Sequence, residues 1–154
     1  MRVGGFNILV NLRRTTPYTS APNLAGTQFP ISAPMATIFI DGQAGTTGLE
    51  ITSRLEARKD LKLLKISEAE RKDQDARAHY LQSADVAILC LPDDAAREAV
   101  ALAAGKSRIL DASTAYRTDA QWVYGLPELD AQQRSRIQNA QYVSNPGCYP
   151  QGFI

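Results

Sequence analysis

ATIFIDGQAGTTG, residues 36–48, is the stretch on which the fold turns. Ala36 to Asp41 is a short, apolar, β-branched run that suits a buried strand. Gly42, Gly45 and Gly48 follow, and beyond them Leu49, Ile51, Leu55 and Ala57 alternate with Glu50, Arg54 and Arg58 at helical spacing. A strand, a glycine turn and a helix in that order let backbone amides at the helix start face an anion, which the helix dipole also favours. Gly42, Gly45 and Gly48 would serve the tight turn, the close approach of a pyrophosphate and the packing of helix on strand. The spacing is GxxGxxG rather than GxGxxG, so the motif is weak by itself, and an ordinary βα turn rich in glycine is the alternative. Its place after the first strand favours a dinucleotide site.

The same alternation continues outward. Leu61–Ile66 reads as a second strand after the polar turn Lys59-Asp60, and a helical stretch around 73–82 leads into Asp85–Leu91, the clearest buried strand. Pro92-Asp93-Asp94 supplies a stop and a helix N-cap, Ala95–Ala104 is a strong helix former, and Gly105 suits the residue after it. Ser107–Asp111 is a further strand, Asp130–Gln138 a helix, and Gln141–Ser144 a last strand. Strands alternating with helices in this way predict an α/β fold with a doubly wound parallel sheet, a Rossmann-like dinucleotide-binding domain.

The 154 residues suffice for one domain with a real core. Lys and Arg number 17 against 16 Asp and Glu, so no strong field points to nucleic acid or to a membrane surface. No apolar run reaches the roughly 18 residues of a bilayer span. Two cysteines, Cys90 and Cys148, make no disulfide framework and fit reduced thiols in a cytoplasmic protein. Residues 1–34 stand apart, with Arg2, Arg13 and Arg14, no acidic residue, and prolines at 17, 22, 30 and 34. They read as a disordered or non-native leader: an organelle transit peptide, upstream sequence left by a misassigned start, or an extra arm. The domain is expected to begin at Met35.

The end of the second strand bears on the choice of cofactor. An acidic residue there would bond the ribose 2′-hydroxyl of NAD and repel a 2′-phosphate. Here Ser67, Arg71 and Lys72 offer a hydroxyl and two cations to a phosphate, although Glu68 could take the NAD role and the stretch could be a solvated charged loop. Near the end of the chain, SNPGCYP (144–150) frames Cys148 between two prolines. Thiolate is the nucleophilic form of cysteine, and a helix N-terminus favours it. Pro150 suits a first helical turn, and Gly147 leaves room for a substrate. Asn145, held extended by Pro146, could offer its amide to a developing oxyanion. A buried cysteine in a turn is the bland alternative. Cys90, inside an apolar strand, reads as core.

Five stretches taken together, GQAGTTG at 42–48, CLPDDAA at 90–96, LDASTAYR at 110–117, YGLPEL at 124–129 and SNPGCYP at 144–150, resemble N-acetyl-γ-glutamyl-phosphate reductase, most of all its shorter type. The likeness runs from about Met35 to Ile154. It implies an NADP-dependent enzyme of arginine biosynthesis that reduces N-acetyl-γ-glutamyl phosphate to the semialdehyde and releases phosphate, a homo-oligomer in its complete form. On that resemblance Cys148 is the nucleophile, Gly45, Thr46, Thr47 and Gly48 lie on the dinucleotide loop, and Arg117 binds the substrate's phosphate or carboxylate. A surface salt bridge is the other reading of Arg117. No metal is implied.

One departure matters. The family continues past this cysteine into a substrate domain with a catalytic histidine, whereas this sequence ends at Ile154 and its single histidine, His79, lies in a polar helical stretch. The resemblance therefore implies the N-terminal portion of a larger enzyme, inactive alone, with its general base elsewhere. Two other readings stay open: a different semialdehyde dehydrogenase, such as one acting on aspartyl phosphate, and a non-catalytic nucleotide-binding module. STAYR and YGLPEL favour the glutamyl branch.

Overall fold

The computed structural model describes residues 35–153; the leader and its possible origins lie outside the described residues. In chain order the elements are β1 (Ala36–Asp41), α1 (Thr46–Glu56), β2 (Leu61–Leu64), α2 (Gln74–Ser83), β3 (Val86–Leu89), α3 (Asp93–Ala103), β4 (Arg108–Asp111), β5 (Val123–Tyr124), α4 (Gln133–Asn139), β6 (Tyr142–Ser144) and α5 (Cys148–Phe153). The six strands form one sheet in the order β2-β1-β3-β4-β6-β5, and every pairing is parallel. This is the doubly wound α/β sheet that the alternation predicts.

Side-chain alternation along the strands builds a core on each face. Phe39, Ala87, Leu89 and Ile109 point to the side covered by α2 and α3, where Leu81, Ala96, Ala99 and Ala103 meet them. Ile38, Ile40, Val86 and Ile88 point the other way, onto Ile51 and Leu55 of α1. Burying a side chain such as Phe39, Leu81 or Leu89 contributes about 1.5–3 kcal/mol before entropy is counted. Small alanines on α3 let it pack closely against α2.

The strand order reverses between β1 and β3, so the crevice beyond their carboxyl ends is the switch point where such sheets bind ligands. Several boundaries differ from expectation. β2 and β3 end two residues early, at Leu64 and Leu89, which leaves Cys90 one residue beyond its strand. β5 escapes sequence reading because two residues have no periodicity. Pro92, not an aspartate, is the N-cap of α3, without a side-chain bond. Asp93 instead accepts from the backbone N–H (2.9 Å) and hydroxyl (2.6 Å) of Thr114. The left-handed turn that closes α3 begins at Ala104 (φ 50°) and continues through Gly105 (φ 71°). Among the described residues no helix is long and apolar enough to cross a membrane.

Candidate active site

The glycine loop leaves β1 through a sharp turn. Gly42 has φ 87°, a region that L side chains avoid, and a Cβ there would overlap the carbonyl of Cys90 across the switch point. Gly48 is equally constrained, because a Cβ would run into the backbone of Gly42 and Gln43. Gly45 is different. Its φ of −77° is ordinary, and a Cβ would meet only the carbonyl oxygen of Gly42 at 3.5 Å. The fold therefore requires two of the three glycines, whereas the third keeps open ground in front of α1.

Gly45 is also the N-cap of α1 and gives it no side-chain cap, and the first turn carries no acidic residue. Uncapped amides and the positive end of an 11-residue helix, clear of negative charge, suit a pyrophosphate. The neighbouring α3 starts at the same edge but carries Asp93 and Asp94 in its first turn, so it repels an anion. Thr46 and Thr47, the first two residues of α1, are exposed. Gln43, which the sequence reading passed over, ties the loop to the end of β2 by donating its amide to the Ile66 carbonyl (3.2 Å). Behind it, the buried Asp41 carboxylate is paired with Arg77 of α2 at 2.9 Å. These residues fit a dinucleotide phosphate group.

Beyond β2, the Ser67 hydroxyl donates to Glu70 (2.7 Å) and Arg71 pairs with Glu68 (2.6 Å). Two of the three groups read as phosphate ligands are thus already engaged by carboxylates. Lys72 is exposed beside them.

Two further loops leave the same edge of the sheet, after β4 and β6. Asp111, fully buried at the end of β4, accepts from the backbone N–H (3.2 Å) and hydroxyl (2.6 Å) of Ser113. Burial pushes its carboxyl above the usual range, opposed by the Ser113 bonds and the charge of Arg117. Tyr116 stacks on Trp122 (4.1 Å between centroids), which stacks on Tyr142 of β6 (5.0 Å), and the Arg97 guanidinium lies over the Tyr116 ring at 5.4 Å. Neither Asp111 nor this stack was singled out by sequence reading. The residues of the stack come from α3, the β4–β5 connection and β6, so no local pattern announces it.

Arg117, next along, is half-buried, not a surface salt bridge. Its Nε donates to the Asn145 carbonyl (3.2 Å) and its Nη2 to the Ala112 carbonyl (3.4 Å). Asn145 is half-buried, with its backbone N–H on the carbonyl of Asp111 (2.7 Å). Pro146 is buried, Cys148 is exposed as the first residue of α5, and Pro150 lies in that helix's first turn.

Cys90 is half-buried and packs against the α1-side core. Desolvation, with the nearby charges of Asp111 and Asp41, pushes its thiol up to about 11. His79 is exposed on α2, edge-on to Tyr80 at 5.8 Å. Among the described residues no cluster of acidic, histidine or cysteine side chains could hold a metal.

A parallel sheet with a glycine loop at its switch point defines a dinucleotide-binding domain. The profile described as "Semialdehyde dehydrogenase, NAD binding domain" matches residues 37–139, and the chain belongs to that family. It is 65% identical over 118 residues to N-acetyl-gamma-glutamyl-phosphate reductase of Trichormus variabilis, covering 76% of this chain and 37% of the relative. The enzyme of the same name from Brucella suis is 57% identical over 119 residues, covering 76% and 38%. The chain thus spans little more than a third of the length of the curated relatives it matches. Among solved structures, aspartate semialdehyde dehydrogenase II of Vibrio cholerae has the same fold, with a TM-score of 0.60 at 16% identity over 77% of this chain and 44% of the other.

Proposed function

We propose that this chain is the dinucleotide-binding and nucleophile-bearing part of an NADP-dependent reductase that converts N-acetyl-γ-glutamyl phosphate to its semialdehyde in arginine biosynthesis. The carrying observation is the convergence, at one edge of the sheet, of the open helix start at Gly45 and the loops of Arg117 and Cys148. The high identity to relatives named as that reductase supports the substrate.

The Cys148 sulfur attacks the acyl carbon of the acyl phosphate, the C–O bond to phosphate breaks, and inorganic phosphate leaves, giving a thioester on the protein. Gly42, Gly45, Thr46, Thr47 and Gly48 would hold a nicotinamide dinucleotide, which would supply the hydride for reduction of this thioester. Asn145 offers its side-chain amide to the oxyanion that forms at the acyl carbon in each half of the reaction. Arg117 meets the substrate's anionic group through Nη1, the guanidinium nitrogen not committed to a protein carbonyl. Cys148 is regenerated when the thiohemiacetal collapses to the aldehyde.

The preference for NADP rests on Lys72 with Arg71 and Ser67, the latter two turning from their carboxylate partners toward a 2′-phosphate. Titration of the chain with NADPH and NADH tests the cofactor reading. Tighter binding of NADPH is expected, and equal curves would reduce residues 67–72 to a solvated face. The reverse reaction, reduction of NADP with the semialdehyde and phosphate, tests the substrate in a form of the protein that also carries the general base. Turnover with aspartate semialdehyde but not with the N-acetylglutamyl compound would overturn the assignment.

A further inference from the structure

We propose that Arg117 is a positioning residue for Cys148, acting through the backbone of Asn145 and Gly147, and that residue 147 is glycine because the guanidinium occupies the space of a Cβ. The proposal rests on Cys148 being the nucleophile and adds what fixes its place.

β4 and β6 are neighbours, in register from Ile109 with Tyr142 to Asp111 with Ser144. The last backbone bond between them runs from the Asn145 N–H to the Asp111 carbonyl. Past that point the two chains part, and Pro146 has no N–H with which to continue a ladder. The guanidinium takes over there. With Nε on the Asn145 carbonyl and Nη2 on the Ala112 carbonyl, it bridges the two strand ends one residue beyond the last ladder bond. A planar fork can span two carbonyls in this way, whereas an ammonium, a single point of charge, cannot hold the same geometry.

Gly147 lies against the other side of the guanidinium. A Cβ there would sit 2.9 Å from Nη1 and 3.6 Å from Cζ, so any side chain would push Arg117 off its carbonyls or move the loop that leads to Cys148. Arg117 is itself held from behind. Tyr116 is stacked on Trp122 and lies under the Arg97 guanidinium, and Thr114 is tied to Asp93. The anchor is therefore ordered before substrate arrives, which lowers the entropic cost of placing the sulfur.

Alkylation of the full chain by iodoacetamide at neutral pH, followed by peptide mapping of both cysteines, tests this without requiring turnover. In Arg117→Lys and Arg117→Ala, labelling of Cys148 should slow roughly fivefold or more, while Cys90 stays unchanged. Gly147→Ala should slow Cys148 similarly in the parent chain and add nothing in the Arg117→Ala background, the non-additivity expected of two groups acting as one. A wild-type rate in Arg117→Lys would mean that charge alone suffices and would overturn the proposal. So would an additive effect of Gly147→Ala, or faster labelling of Cys90 in the variants, which reports a loosened fold. If Arg117→Ala does not fold by circular dichroism, Arg117→Lys and Gly147→Ala carry the test. Failure of Cys148 to label before Cys90 in the parent chain would count against the nucleophile, not against the clamp.

Discussion

Cys90 and Cys148 emerge from the same edge of one sheet, yet the structure treats them in opposite ways. Cys90 follows β3 directly; its N–H bonds the Asp41 carbonyl at 2.8 Å, and its own carbonyl is the surface against which Gly42 turns. What the fold uses there is backbone, and the thiol is left desolvated between two carboxylates that oppose its ionisation. Cys148 stands exposed, three residues after a carbonyl that Arg117 holds. A cysteine that leaves a strand into the packed switch point is silenced, whereas one carried outward on a braced loop is free to react. Position at a sheet edge does not decide reactivity; neighbouring charge and solvent do.

The largest effect that could break this contrast is on turnover. In a form of the protein that reduces NADP with the semialdehyde and phosphate, Cys148→Ser should lower the rate on the order of a thousandfold or more, and Cys90→Ala should leave it nearly unchanged. Dinucleotide binding should survive both. A comparable loss from Cys90→Ala would erase the distinction.

The glycine loop that turns against the Cys90 carbonyl gives the next effect. Gly42→Ala should cost about 2–4 kcal/mol in urea denaturation, from backbone strain and overlap with Cys90. Gly45→Ala should cost less than about 1 kcal/mol, yet weaken dinucleotide binding by roughly tenfold or more, because it crowds the open ground before α1. Equal losses of stability would show that both glycines serve only the fold.

The Cys90 thiol supplies a pH dependence. Its folded value, raised from 9.0 to about 11, lies above that of the unfolded chain, so the unfolded chain gives up its proton first. Below pH 9 the group contributes no slope, and between about 9 and 11 it costs the native state stability. Melting temperatures of the parent and Cys90→Ala should run parallel below pH 9 and converge or cross above it, as the parent loses more. Parallel lines throughout would mean that the thiol is not desolvated.

The smallest effect concerns the cofactor end. Because Arg71 is already paired with Glu68 on the surface, Arg71→Ala should narrow the preference for NADPH over NADH by only about 2- to 5-fold. A much larger change, of the size of an uncompensated phosphate contact, would show that giving up Glu68 costs Arg71 nothing when the cofactor binds.

What could be read from the sequence was local. The β1–glycine–α1 unit declares itself in thirteen consecutive residues, and the buried run before Cys90 could hardly be anything but a strand. Residues that act across the sheet were silent. Asp93 reads as a helix cap because caps are local, but Thr114, 21 residues on, takes it away. Arg117 was legible only as a charge of uncertain use, since its partner Asn145 is 28 residues distant and offers a carbonyl, which every residue has. Gly147 read as room for substrate, and only the folded chain places a guanidinium beside it.

The most direct test of the central contrast is competitive alkylation of the full chain with substoichiometric iodoacetamide at pH 7, read by peptide mapping. The thiolate fraction of Cys90 should be about 100-fold below that of a thiol ionising at 9.0, so it should remain essentially unmodified while Cys148 is consumed. Modification of Cys90 before Cys148, or at an equal rate, would contradict the assignment of Cys148 as the nucleophile.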